Sequence, residues 1–196
     1  KDNIVLDSSY YGVVPAFGSN TMILDGNGYT ISRGEYKGPF FDVNQEGSKF
    51  VLRNITLDGG AVWSGTDPAT RTNSGTVLGG TGYFMYVGDG ATLTLESGAV
   101  LQNNHVEHSA YNAAIHMEGG GTLLMKQGAV IRNNAAVANG DYGGVGSAVA
   151  MSASDTFYME GGLITGNYAS VAGGGVLSNG IFEMTGCKIS GNVSGN

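Results

Sequence analysis

Residues 93–103 read LTLESGAVLQN, and the pattern returns without a gap as LLMKQGAVIRN at 123–133, FYMEGGLITGN at 157–167 and FEMTGCKISGN at 182–192. Aligned, the copies give a first apolar column of Leu93, Leu123, Phe157 and Phe182. Two residues on stand Leu95, Met125, Met159 and Met184. Gly98, Gly128 and Gly162 follow, with Cys187 in the fourth place. Val100, Val130, Ile164 and Ile189 make the next apolar column, and Asn103, Asn133, Asn167 and Asn192 close each copy. A weaker fifth copy is FVLRNITLDGG at 50–60, where Gly60 replaces the asparagine.

A second block precedes each copy: FFDVNQEG (40–47), FMYVGDG (84–90), AAIHMEGGG (113–121), AVAMSASD (148–155) and GGVLSNG (174–180). Within it apolar residues alternate, as in Met85 and Val87, Ile115 and Met117, or Val149 and Met151. Period-two alternation between Gly, Asn and Ser turns describes short strands with one buried face. The closing asparagines are 30, 34 and 25 residues apart. A unit of this length cannot bury its own apolar face and must stack on its neighbours. The expected fold is therefore all-β, a parallel β-helix with three short strands per coil. Each coil advances about 4.8 Å, and about six to seven coils make one domain over residues 1–196. Residues 1–20, with NIVL at 3–6 and Tyr10–Tyr11, are expected to close one end; 59–82 is a loop insertion; GNVSGN at the other end is read as truncated or continuing. A propeller or up-and-down barrel would need hairpins between similar strands, and the long spacing disfavours both.

Composition agrees. The 196 residues hold 35 Gly and 3 Pro, and 41% of residues are hydrophobic. Glycine at this level opposes a helical bundle, while the apolar share suffices for a core. Charged residues are 13%, with a net charge of -7, and the nine basic residues are scattered. Nucleic acid and anionic membrane surfaces are thereby disfavoured as partners, since both need clustered Lys and Arg. No run of about 20 apolar residues suggests a membrane span. The single Cys187 excludes an intrachain disulfide.

GGGVLSNGIFEMTGCKISGN (173–192) resembles the Gly-Gly-Gly-Val … Met-x-Gly-x-Ile-Ser-Gly-Asn repeats of bacterial adhesin-like surface proteins. It is also similar to the Gly-Gly-Ala-Ile and Phe-x-x-Asn repeats of chlamydial polymorphic outer-membrane proteins. ILDGNGYTI (23–31) looks like the opening coil of pectate-lyase-like β-helices. The resemblance covers most of the chain after residue 20. It implies a right-handed helix in an extracellular protein, on the bacterial cell surface or secreted, within a larger multidomain chain.

The variable segments after each asparagine define one edge: NHVEHSAYN (104–112), NAAVANGDYGGVG (134–146), YASVAGG (168–174) and, at the equivalent place, 59–82. Insertions of this kind gather on one edge of a solenoid, often the binding edge. That edge collects Trp63, His105, Glu107, His108, Tyr111, Asp141, Tyr142 and Tyr168. Aromatic faces beside carboxylates suit carbohydrate, because rings cover sugar C–H groups and polar tips bond hydroxyls. The competing reading is ordinary loops packed on the rod. Hydrolysis would require two carboxylates about 5–10 Å apart, and Glu107 and Asp141 are the only weak candidates on this edge. His105, Glu107 and His108, with His116 nearby, fall short of the convergent ligand set that zinc needs, so neither metal nor cofactor is expected. His116 should point outward between Ile115 and Met117. Arg53, Glu96, Lys126 and Glu160 share one column and read as a charge ladder, while the asparagines read as a structural amide ladder.

The expected function is an adhesin or glycan-binding module working through the loop-bearing edge. Its partner is a host or environmental glycan, or a protein receptor. The alternatives are a polysaccharide-degrading enzyme, hydrolase or lyase, and a passive stalk.

Overall fold

The computed structural model describes residues 2–9, 20–79, 82–107, 114–139 and 143–195. These residues are all strand and turn, with no helix. Four parallel sheets run through them, holding five, six, seven and four strands. One repeat shows their order. Ile115–Glu118 lies in sheet one, Thr122–Met125 in sheet two, Val130–Arg132 in sheet three and Ala135–Val137 in sheet four. The chain then returns to sheet one at Val149–Met151, beside Ile115–Met117. This stacking of short parallel strands is compatible with a β-solenoid.

The last four repeats have four strands each where three were expected. The fourth lies inside segments read as edge loops at His105–Glu107, Ala135–Val137 and Tyr168–Ala169, and in the GNVSGN stretch at Val193–Ser194. A tight asparagine turn sends the chain straight into it.

Sheet two carries the anticipated columns. Phe50, Leu93, Leu123, Phe157 and Phe182 are successive register partners, as are Leu52, Leu95, Met125, Met159 and Met184. The first four of each set are fully buried, and Phe157 stacks on Phe182 at 4.9 Å between centroids. On the outer face Arg53 bonds Asp25 at 2.9 Å, and Lys126 reaches Glu96 at 3.2 Å.

Sheet three corrects the alignment. Val130 pairs with Leu163, and Ile131 pairs with Ile164. The inward column is thus Leu101, Ile131, Ile164 and Ile189, whereas Val100 and Val130 lie on the outer face, half-buried. The cause is the turn that follows. It needs one residue in the left-handed region, and Asn103 (φ 57), Asn133 (φ 57), Gly166 (φ 66) and Gly191 (φ 65) supply it. Asn and Gly are the residues that adopt this conformation readily. Asn-Asn in two repeats therefore equals Gly-Asn in the others, and the ungapped alignment was one residue out.

The ladder asparagines are consequently Asn104, Asn134, Asn167 and Asn192. The Oδ1 atoms of Asn134, Asn167 and Asn192 each accept the backbone N–H of the preceding ladder residue at 3.0 Å. Their Nδ2 atoms donate to the carbonyls of Leu101, Ile131 and Ile164. The ladder stops at Asn104, whose buried Oδ1 accepts nothing. In the preceding repeat the N–H of Gly60 turns to the carboxylate of Asp58 instead, at 2.8 Å.

At the other end of the described core, Ile4–Val5 joins the edge of sheet three beside Ile31 and Ser32, and Leu6 is buried. Tyr10 and Tyr11 lie outside the described residues. Arg33 is fully buried near this end. Its guanidinium lies over the Phe40 ring at 4.6 Å and donates to the carbonyls of Gly38, Gly82 (2.9 Å) and Tyr83 (3.4 Å). Burial brings its pKa down to about 9.

Candidate functional site

The insertion leaves the repeat between sheets three and four. Gly59 N–H bonds Gln102 O and Ala61 N–H bonds Asn103 O, so entry occurs beside the asparagine turn of the next repeat. Trp63–Ser64 then pairs antiparallel with Thr72–Asn73. Asp67 closes the hairpin tip by accepting the N–H of Ala69 at its side chain and those of Thr70 and Arg71 at its carbonyl. The chain rejoins sheet four at Leu78, which bridges Val106 in parallel. What looked like an unassigned stretch is a hairpin set into the Gly59–Gly60 turn, the counterpart of the asparagine turns in later repeats.

The hairpin is tied to later repeats. Trp63 Nε1 donates to Asn133 O at 3.0 Å. Arg71 lies over the Trp63 ring, 3.9 Å from its centroid, and donates to Asn133 Oδ1 and Asn134 O, both at 3.4 Å. Burial lowers the Arg71 pKa to about 10. The His105 ring lies 5.2 Å from that of Trp63, tilted by 38°. Asn73 organises the base: its Oδ1 accepts from Val62 and Gly75, and its Nδ2 donates to Thr76 O and His105 Nδ1, the last at 2.9 Å. The amide donor assigns the Nε2–H tautomer to His105. That Nε2 makes no hydrogen bond but lies 3.4 Å from Glu107 Oε1. Burial holds the imidazole pKa below its usual value, against the attraction of Glu107.

Three of the expected site residues, Trp63, His105 and Glu107, are therefore brought together. Tyr168 stands in the same outward column as His105, with Ala135 between them, and is half-buried. His108, Tyr111, Asp141 and Tyr142 lie outside the described residues, and with Asp141 goes the carboxylate pair considered for hydrolysis. Among the described residues, no group of three or more His, Cys, Asp or Glu side chains is arranged to hold a metal ion. Arg71 was noted only as a basic residue near this edge that a lyase could use, and Asn73 was not anticipated. Asp67-Pro68 was the available signal, because that dipeptide marks a turn and places Arg71 and Asn73 on the returning strand.

A second cluster lies on the outer face of sheet one. Asp42, Tyr86, His116 and Ala150 are successive register partners there. The His116 ring is stacked with Tyr83 (5.3 Å, 16°) and tilted against Tyr86 (5.7 Å, 31°). His116 does take an outward position, but these rings leave it only 9% exposed. Its Nε2 lies 3.7 Å from Glu118 Oε2. Aligning FFDVN, FMYVG and AIHME by their middle residues would have revealed this column.

Comparison with known protein families, curated proteins and solved structures finds no match to this chain.

Proposed function

We propose that the chain is a right-handed parallel β-helix of about six to seven coils, exposed on or secreted from a bacterial cell, that binds a glycan through its loop-bearing edge. The observation that carries the reading is the clamped hairpin. A stalk needs only regular repeats; here an insertion breaks the regularity and is held rigidly by Trp63 and Arg71 against the turn at Asn133 and Asn134. Rigid presentation lowers the ordering cost of binding. The clamp projects an exposed tip with Ser64, Thr66, Asp67 and Thr70, and the half-exposed carboxylate of Glu107 lies against His105 at its base. Hydroxyls and carboxylates around an indole edge are groups that recognise sugar hydroxyls. The scattered basic residues favour a ligand that is not strongly anionic.

The test is binding of the protein to a broad glycan array, with and without a chelator, alongside Thr66→Ala, Asp67→Ala and Glu107→Gln. Selective binding weakened by these substitutions supports the reading. Binding abolished by chelator would make recognition metal-dependent. Absence of binding to any glycan overturns the reading in favour of a stalk or a protein receptor.

A further inference from the structure

We infer that the outer face of sheet one carries a second recognition surface, in which Tyr83, Tyr86 and Asp42 seat a non-acidic sugar residue. The inference shares the glycan reading of the loop edge but places contact on a different face. Three rings meet there, with centroids 5.3, 5.7 and 6.2 Å apart. His116 is the buried member, and Tyr83 and Tyr86 are half-exposed above it. Tyr83 is fixed from beneath: Arg33 grips the carbonyls of Gly82 and Tyr83, and Asn104 Nδ2 also donates to Gly82 O at 2.8 Å. Preset rings of this kind stack on a pyranose without an ordering cost.

Asp42 supplies the polar half. It stands beside Tyr86 in the register, and its Oδ1 is buried without a hydrogen-bond partner. A carboxylate with one oxygen desolvated and unpaired weakens the fold, while the half-buried side chain keeps part of its surface open beside Tyr86, where a ligand hydroxyl can donate to its other oxygen. Burial and the neighbouring Asp89 accordingly raise its pKa. The acidic groups acting on the two tyrosines are Asp42, Glu118, Asp89 and Asp155. Against these four carboxylates stands the single positive charge of Arg33, buried beneath the rings, so the balance at the surface is negative. The field at the rings therefore repels uronate, sialate and sulfate, and admits neutral or amine-bearing sugars.

The experiment is titration of the intact chain with neutral gluco-, manno- and xylo-oligosaccharides, a chitosan oligomer and a polygalacturonate oligomer. Tyr83→Ala, Tyr86→Ala, Tyr86→Phe and Asp42→Asn are compared with the hairpin variants Thr66→Ala and Glu107→Gln. At least one neutral or amine-bearing oligomer should bind. Tyr86→Ala should weaken it about tenfold, the upper range for one lost aromatic contact, and Tyr86→Phe should retain most of it. Asp42→Asn should weaken binding while raising the melting temperature, a combination that misfolding cannot produce. If the tyrosine variants bind as the wild type while hairpin variants lose affinity, this inference falls and the loop-edge reading stands. Preferential binding of polygalacturonate overturns the charge argument. If no oligosaccharide binds, both readings fall.

Discussion

The indole Nε1 of Trp63 donates to the backbone carbonyl of Asn133, 70 residues later, across 3.0 Å. This bond and the Arg71 guanidinium over the same ring hold the hairpin to the repeat stack. Trp63→Ala should release the hairpin at a cost of about 1–2 kcal/mol of docking free energy. The global melting temperature should move little, because sheets two and three are untouched. Limited proteolysis within residues 64–70 reads the effect, and unchanged cleavage there would contradict the clamp.

The register of sheet three separates two neighbouring residues. Ile131 is fully buried, whereas Val130 sits on the outer face. Ile131→Asp should unfold the chain or cost several kcal/mol, because it buries an unpaired charge. Val130→Asp should cost about 1 kcal/mol or less. Circular dichroism melting of the pair decides the register, and the reverse order would restore the ungapped alignment.

Within the amide ladder, Asn167 both accepts from Asn134 N–H and donates to Ile131 O. Asn167→Ala leaves buried partners on both sides unsatisfied, so a loss of about 2–3 kcal/mol is expected. Asn133→Gly, in the left-handed position of the turn before Asn134, keeps the backbone conformation and loses only the long Arg71 contact, so about 1 kcal/mol or less is expected. Denaturant unfolding of the two variants measures the contrast.

The two described histidines make the fold acid-sensitive. His105 faces Glu107, Arg71, Asn73 and Trp63; His116 faces Glu118, Asp155, Tyr83 and Tyr86. Burial is the largest influence on each and lowers both pKa values from 6.5. The unfolded chain then binds protons more readily, so their contribution is full above pH 6.5 and declines as the pH falls below it. Melting temperature against pH should drop across that window. His105→Gln combined with His116→Gln should flatten the profile.

Cys187 follows a small inward column of Ala99, Ala129 and Gly162, and its thiol donates to Met159 O at 3.1 Å. Cys187→Ala should therefore change stability by about 1 kcal/mol or less. A larger loss on thermal melting would mean that the thiol contact matters more than the column.

Much of the fold was legible because alternation is a direct imprint of a half-buried strand. Leu93, Leu123, Phe157 and Phe182 needed nothing beyond that pattern to be stacked correctly. The slip at Val130 has an equally physical origin: side chains were matched where backbone conformation was the invariant, and Asn133 serves the turn as Gly166 does. The extra strand containing His105 and Glu107 was hidden because its short, mixed sequence has no alternation of its own. The packing of Trp63 on Arg71 and His105 was not legible at all. It arises from contacts between distant repeats, and no local period encodes which residues a hairpin will meet. The Asp42–Tyr86–His116 column was readable in principle from equivalent mid-strand positions.

The hairpin clamp also bears on how the rod responds to force. Each strand of the stack bonds only to the repeats directly before and after it, so tension applied at one end peels the layers singly, like a zip. Trp63 crosses that boundary, because it leaves the repeat containing Ile55–Asp58 and fastens to the turn after Val130–Arg132, passing over the one containing Ala99–Gln102. It acts as a stitch through three layers. A peel advancing from the Asn192 side meets that stitch at Asn133, where several layers must give way together.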